Sequence, residues 1–273
     1  MMKKMKTMMM NNMNIFQELK KFSHIKYYDE PHKYFIGEQE LVSGTGFLKL
    51  FKPEFNTKVM AEKSAKKLGI PVEDVLSDWE YKREFAGMKG TLVHNFAENY
   101  WFNKIFPYNS QVVIDKFGED HIKERYDRCV EMFLDFYRDA SPALTPITME
   151  LVIGDAELGV GGMVDCLFYN EKLKEFQIWD YKTNKQIRMK SEYRKRFKAP
   201  ISFIEECEFE AYSLQLNLYK FIIEKNTNIK IGRLYLVWLF EENESYQVIE
   251  CKDYQSTIEL MFKHQSNGTK NRS

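Results

Sequence analysis

The sequence predicts an α/β fold, and two observations carry that expectation. Between residues 147 and 183, three short apolar segments rich in branched and aromatic side chains follow one another across brief polar breaks, the pattern of a three-stranded meander. On either side lie stretches whose apolar residues recur at helical spacing. Helices, a meander, another helix and further strands suit a sheet sandwiched by helices better than a bundle or an all-β barrel. With 273 residues and no proline- or serine-rich linker, the chain can bury a sizeable core in one domain.

The elements follow in order. The opening "MMKKMKTMMMNNMNIF" lacks the apolar core and cleavage site of a signal peptide and the arginines of a mitochondrial presequence. Residues 1–22 are therefore expected to be a tail or short helix of a cytoplasmic protein. Two short strands flank "DEPHK", and a turn leads to a helix start at Ser43 to Thr45, where a hydroxyl can cap free amides. Residues 46–69 are expected to be helical, ending at Gly69-Ile70-Pro71. A second helix is expected after Asp74. A third, "KGTLVHNFAENYWFNK", is expected to begin after Gly90, since Leu92, Val93, Phe96, Ala97, Tyr100 and Trp101 recur at helical spacing. A long helix through "DHIKERYDRCVEMFLDFYRDA" stops before Pro142. The meander is "ITMELVIGD", "LGVGGMVDCLFYN" and "KEFQIWDYKT"; then come the helix "FEAYSLQLNLYKFIIEK" and the strands "IGRLYLVWLFEE" and "SYQVIECK". One domain is expected over residues 23–262, and the polar residues 263–273 are expected to be loose.

Composition excludes several classes. The apolar run "LYLVWLF" has the length of a buried strand and is far short of a bilayer crossing. Cys129, Cys166, Cys207 and Cys251 are scattered without a C-x-x-C pair, which argues against zinc knuckles and local iron–sulfur spacing and for reduced, structural thiols. Forty basic residues balance forty acidic ones, so attraction to nucleic acid must come from a local patch. No G-x-x-x-x-G-K-[ST] phosphate loop is present, so the chain carries no helicase motor.

Candidate chemistry sits in "GGMVDCLFYNEKLKEFQIWDYKTNK", where Asp165, Asp180 and Lys182 interrupt an apolar meander. A charge on a buried strand costs several kcal/mol unless it is paired or holds a metal. Alternation puts Asp180 and Lys182 on one face and Tyr181 on the other, and an antiparallel hairpin can set Asp165 beside Asp180. Two carboxylates that close repel, a divalent cation relieves the repulsion, and Lys182 can orient water or stabilise developing charge. A D-x-K triplet by itself arises about once by chance in a chain of this length. A structural salt bridge among the three groups is the alternative reading.

"GGMVD" followed by "IWDYKTNK" resembles the core of the PD-(D/E)XK nuclease superfamily, in particular its RecB-like exonuclease branch. Two flanking signatures of that branch have counterparts: "GTLVH", Gly90 to His94, and "QLNLY", Gln215 to Tyr219. The stretch "YYDEPHKYFIGEQELVSGTGFL" is more loosely similar to the opening of phage members and of mitochondrial genome-maintenance exonucleases. The resemblance implies a restriction-endonuclease-like central mixed sheet with a β-meander flanked by helices. It implies Asp165, Asp180 and the Tyr181 main-chain carbonyl as metal ligands, His94 as a further ligand, and Lys182 as the catalytic lysine. Gln215 and Tyr219 would brace the site, and Glu150 stands where many relatives carry an acid. Val164 replaces the proline of the superfamily name, and Asp180 stands in place of the often-seen Glu. His94, Gln215 and Tyr219 also read as ordinary helix residues.

Carboxylates, a carbonyl and one imidazole suit Mg2+ or Mn2+. Lys185, Arg188, Lys190, Arg194, Lys195, Arg196 and Lys198 follow Lys182 and can grip backbone phosphates, although such a run is also the pattern of a solvated face. Trp79, Tyr81, Phe85, Tyr100 and Trp101 could stack unpaired bases or simply fill the core. The expected function is a metal-dependent DNA exonuclease acting on single strands or ends in replication, recombination or repair, in the cytoplasm of a bacterial or phage-infected cell. The alternatives are a non-cleaving DNA-binding or replication-accessory module and a structure-specific endonuclease on the same fold. No protein partner is legible.

Overall fold

The computed structural model describes residues 14–102 and 118–270. It is a mixed α/β sandwich around an open, mostly antiparallel sheet of eight strands, consistent with the restriction-endonuclease-like fold. A hairpin of β1 (Ile25–Tyr28) and β2 (Lys33–Ile36) continues into β3 (Gln39–Ser43). The meander is β4 (Leu144–Asp155), β5 (Val160–Asn170) and β6 (Glu175–Lys182), and β7 (Ile231–Trp238) and β8 (Gln247–Glu250) extend it. The pairs β3–β5 and β6–β7 are parallel and the rest antiparallel. The strands of the meander lie where alternating and branched residues place them.

The helices are less regular than their pattern suggests. In place of one helix over residues 46–69 there are two, α1 (Gly44–Lys49) and α2 (Thr57–Leu68). Pro53 disfavours helical backbone at the residue before it, and the Asn56 side chain restarts the helix by accepting from the Val59 amide. Conversely, the two helices expected after Asp74 and after Gly90 are one, α3 (Val72–Trp101). Glu73 and Asp74 favour its N-terminus, and its tertiary packing overrides the weak propensity of Gly87 and Gly90. Lys104, near the end of the expected third helix, lies outside the described residues. The next helices are α4 (Glu119–Ala140), α5 (Glu208–Asn226) and α6 (Gln255–Lys270); α6 makes residues 263–270 helical, where a loose tail was expected.

Two apolar layers cover the sheet. On one face, Phe47 and Phe51 near α1, Leu214, Leu218 and Ile222 of α5, and Ile258 and Met261 of α6 pack on Val164, Leu167 and Ile178. On the other, α3 and α4 supply Val93, Trp101, Phe133 and Phe136 against Cys166, Phe168, Trp179 and Tyr181. Phe85 and Trp101 are buried there, Tyr100 packs edge-on against Phe133 and Tyr137, and Trp79 packs by the small α2 cluster of Ala61 and Ala65. The core-filling alternative therefore holds for these four; Tyr81 is exposed. All four cysteines are unpaired. Among the described residues, no helix is long and apolar enough to cross a membrane.

Candidate active site

The sheet forks at the predicted acids. Strand β5 pairs with β3 at Val160 and Gly161 and with β6 from Cys166 onward, so the stretch between lies where β3 and β6 part. Asp165 stands on one side of the fork and Asp180 on the other, one step past the last β5–β6 pair, Cys166 with Trp179. A crevice where neighbouring strands diverge is where open α/β sheets commonly hold ligands. The Tyr181 amide donates to Asp165 Oδ2 at 3.2 Å across it.

Regular alternation alone would not aim Asp165 there. In a flat strand residues two apart share a face, yet Val164 packs with the α5 layer and Cys166 with the α3–α4 layer. Opposite them Met149 and Leu151 split in the same way, and Glu150 between them has φ 47°, a left-handed conformation uncommon for a residue other than glycine. The β4–β5 register runs unbroken past these residues, so the left-handed backbone at Glu150 accompanies the change of face without a bulge.

Helix α3 brings His94 in. A Cβ on Gly90 would lie 3.3 Å from Thr183 Oγ1, so glycine lets the helix close on the end of β6. One turn later His94 Nδ1 sits 3.1 Å from Asp165 Oδ2. Burial works against the charged imidazolium, but Asp165 outweighs it and raises the pKa of His94. Burial likewise opposes ionisation of Asp165, while His94, Lys182 and the Tyr181 amide hold its pKa below the usual carboxylate value.

Asp180 behaves differently. It is 3% exposed, and its burial, together with the repulsion of Asp165, pushes its pKa up to about 6 against the pull of Lys182. Lys182 Nζ lies 2.5 Å from Asp180 Oδ2, but off the angles a hydrogen bond needs, leaving Oδ2 buried without one. For Lys182, burial disfavours the charge, yet Asp180 and Asp165 raise its pKa, so the ammonium is kept at neutral pH. Its Nζ also lies 4.7 Å from the centre of the Tyr212 ring.

Helix α5 closes the site. Gln215 Nε2 donates to Tyr219 Oη at 2.9 Å, and the Tyr219 ring fills the space that Cβ atoms would take on Gly162 and Gly44. Glu150 is exposed, yet near enough to the site that partial desolvation of its carboxyl, then Glu98 and Asp165, push its pKa up. Of the basic run, Arg188 is committed to Glu208 and Glu192, Arg196 donates to the Ser202 and Phe203 carbonyls, and Lys198 lies 3.9 Å from Glu54. Lys185, Lys190, Arg194 and Lys195 are exposed. Two neighbours escaped sequence reading although periodicity reaches both: Tyr212 is three residues before Gln215 on α5, and Glu98 four after His94 on α3.

A family model described as the PD-(D/E)XK nuclease superfamily matches residues 66–268, most of the chain and the whole of this site apart from the β1–β3 hairpin region and α1. The chain belongs to the PD-(D/E)XK nuclease superfamily. No curated protein is significantly similar to it. Family membership implies a nuclease, a phosphodiesterase acting on nucleic acid, and PD-(D/E)XK nucleases generally use divalent metals such as Mg2+ or Mn2+. Among the described residues of the nuclease, no three His, Cys, Asp or Glu side chains close into a ready cage. The donors nevertheless fit such an ion. Mg2+ needs only one or two carboxylates and keeps water on its other positions, and buried Asp180, whose Oδ2 makes no hydrogen bond and has only the Lys182 ammonium beside it, stands close enough to Asp165 for the two carboxylates to repel.

Proposed function

We propose that this nuclease is a metal-dependent DNA exonuclease of the RecB-like branch, acting on single strands or DNA ends in replication, recombination or repair. The observation that carries the reading is the meeting of four groups at one fork of the sheet: His94 Nδ1 is 3.1 Å from Asp165, and Lys182 Nζ is 2.5 Å from Asp180. For the branch, support comes from its two flanking signatures reaching the same place, Gly90 by closing α3 on Thr183 and Tyr219 by packing on Gly162.

Asp165, Asp180 and the main-chain carbonyl of Tyr181 would hold Mg2+ or Mn2+, with His94 as a further ligand. Such an ion supplies positive charge that polarises a phosphodiester and acidifies water. Lys182 contributes a second charge, and its Nζ donates to a phosphate or departing oxygen. Tyr219 and Gln215 set the floor against which β5 rests. Lys185, Lys190, Arg194 and Lys195 grip backbone phosphates beyond the reacting one, with Arg188, Arg196 and Lys198 holding the same loop in shape.

The test is digestion of single-stranded DNA labelled at the 5′ or 3′ end, linear or closed, with Mn2+ or Mg2+ and with EDTA. Stepwise loss of linear strands with metal, and none with EDTA, is expected. Lys182→Ala and Asp165→Ala should each lower the rate at least about 100-fold, the scale of losing one transition-state donor, with far-UV circular dichroism unchanged. Full activity in either variant refutes the site. Cutting of closed circles replaces exonuclease by endonuclease, and salt-sensitive DNA binding without calorimetric metal binding replaces both by a non-cleaving module.

A further inference from the structure

The segment between β6 and α5, residues 183–207, leaves the site at Lys182 and returns to it at Glu208. It has no helix, yet it is firmly held. Ile187, Phe197, Ile201 and Ile204 are buried in the core layer under α5. The Ser191 amide donates to Glu205 at 3.0 Å, the Lys195 amide to Ser191 Oγ at 2.9 Å, and the Glu206 amide to the Lys195 carbonyl at 2.9 Å. Arg188 ties the loop to Glu208, and the Trp238 indole donates to the Asn184 carbonyl at 2.7 Å.

Besides these buried residues, the loop also carries apolar side chains that the core does not use. Tyr193 is 73% exposed, Phe203 59% and Met189 50%. A single exposed apolar side chain is ordinary on a protein surface. Here two exposed aromatic rings and a methionine share one pre-organised loop with the exposed cations Lys185, Lys190, Arg194 and Lys195, and with Arg196 and Lys198, which are exposed but engaged with the Ser202 and Phe203 carbonyls and with Glu54. Lys195 Nζ lies 5.8 Å from the centre of the Tyr193 ring. A ring with a cation beside it complements a nucleotide, whose base offers a π-face and whose phosphate offers a negative charge one backbone unit away.

We propose that this loop is a stacking platform for unpaired DNA, on which Tyr193 and Phe203 each take a base while Lys190, Arg194 and Lys195 hold the phosphates between. The proposal rests on the nuclease reading of the adjoining site and adds to it the substrate form: a single strand is fed to the fork over this surface. A duplex keeps its bases stacked inside and offers the rings nothing, so discrimination between single and double strands arises at the loop. Of the aromatic residues expected from sequence to stack bases, Trp79, Phe85, Tyr100 and Trp101 are used inside the fold and Tyr81 stays exposed on α3; Tyr193 and Phe203 add two exposed rings on this loop.

Equilibrium binding of the full chain in EDTA tests this without hydrolysis, using labelled oligo-dT of about 12 nucleotides, within the range one such surface covers, and a duplex of equal length. Tyr193→Ala and Phe203→Ala should each weaken oligo-dT binding about tenfold, the lower part of the range for loss of one stacked base. Duplex binding should be unchanged, and Tyr193→Trp should retain affinity for oligo-dT. Lys190→Ala and Lys195→Ala should weaken both and flatten the salt dependence. Unaltered oligo-dT affinity in the double aromatic variant overturns the platform, as does an equal loss for duplex and single strand. Tighter binding of oligo-rU than of oligo-dT overturns its assignment to DNA. Since no cleavage is read, a chain that bound oligo-dT through these rings yet failed to hydrolyse DNA with Mn2+ would refute the catalytic reading and leave the platform in place.

Discussion

Replacing Gly162 with alanine isolates the contact that sets the floor of the site. Gly162 lies in β5 opposite Ile153 of β4. A Cβ there would fall 2.5 Å from Cε1 of Tyr219, 3.1 Å from Cζ and 3.2 Å from Oη, where carbon atoms rest about 3.5–4.0 Å apart. The ring has little room to retreat, because a Cβ on Gly44 of α1 would already sit 2.8 Å from the same Cε1. Forcing the methyl in costs about 1–3 kcal/mol of overpacking. Moving the ring also breaks the 2.9 Å bond from Gln215, about 1 kcal/mol. Alanine returns about 0.5–1 kcal/mol because it orders more readily in a strand than glycine. The net expectation is a loss of about 1–3.5 kcal/mol, read as a lower urea midpoint at unchanged slope. Gly87→Ala is the contrast: nothing lies within 4 Å of its Cβ position on α3, and alanine should stabilise by about 1 kcal/mol. Tyr219→Leu should absorb part of the Gly162→Ala loss, so the two changes are non-additive. A Gly162→Ala protein as stable as the parent would show that Tyr219 does not occupy the place between β5 and α1, and the brace would have to be abandoned.

Mn2+ should raise the melting temperature by relieving the repulsion of Asp165 and Asp180, and Asp180→Asn should remove that rise; a shift of full size in the variant, by scanning fluorimetry, would refute Asp180 as a ligand. Asp155 is buried and accepts from Lys225 at 2.6 Å, from the Leu158 amide at 2.8 Å and from Asn226 at 3.0 Å; burial opposes its charge but these bonds prevail and lower its pKa from 3.8. A carboxylate depressed in the folded state stabilises fully above its unfolded pKa and loses that stabilisation as pH falls through the folded one. Asp155→Asn should therefore cost about 1–3 kcal/mol at pH 7 and progressively less below pH 3.8, measured by urea midpoints across pH. Lys89 and Glu241 form a buried ion pair between α3 and the segment after β7, and Arg125 of α4 joins it at 3.0 Å. Lys89→Met should cost about 3 kcal/mol by leaving Glu241 short of a partner. Unchanged stability would mean that Arg125 suffices.

Where the two disagree, the cause is physical. Helix propensity and glycine placement suggested a break before Gly90, yet α3 runs through it because its apolar face is buried on α4 and the sheet, a non-local term that no window of sequence contains. The stop inside residues 46–69 was legible in principle, since Pro53 and Asn56 carry it locally. Basic residues are recognisable as a run, but which of them are tied within the loop depends on Glu208 and Glu192 finding Arg188, and on the Phe203 carbonyl finding Arg196.

Sequence by itself determined the α/β class, the meander and the residue types of the site, because period-two patterning and helical spacing are local properties. Asp165, Asp180 and Lys182 stand out as charges in an apolar meander, and His94, Gln215 and Tyr219 as candidates through the resemblance to a family. Only tertiary structure decided that they meet. That outcome depends on β3 and β6 parting along β5, on the left-handed backbone at Glu150, and on glycines that let α3 and α5 come close, features that join segments far apart in the chain.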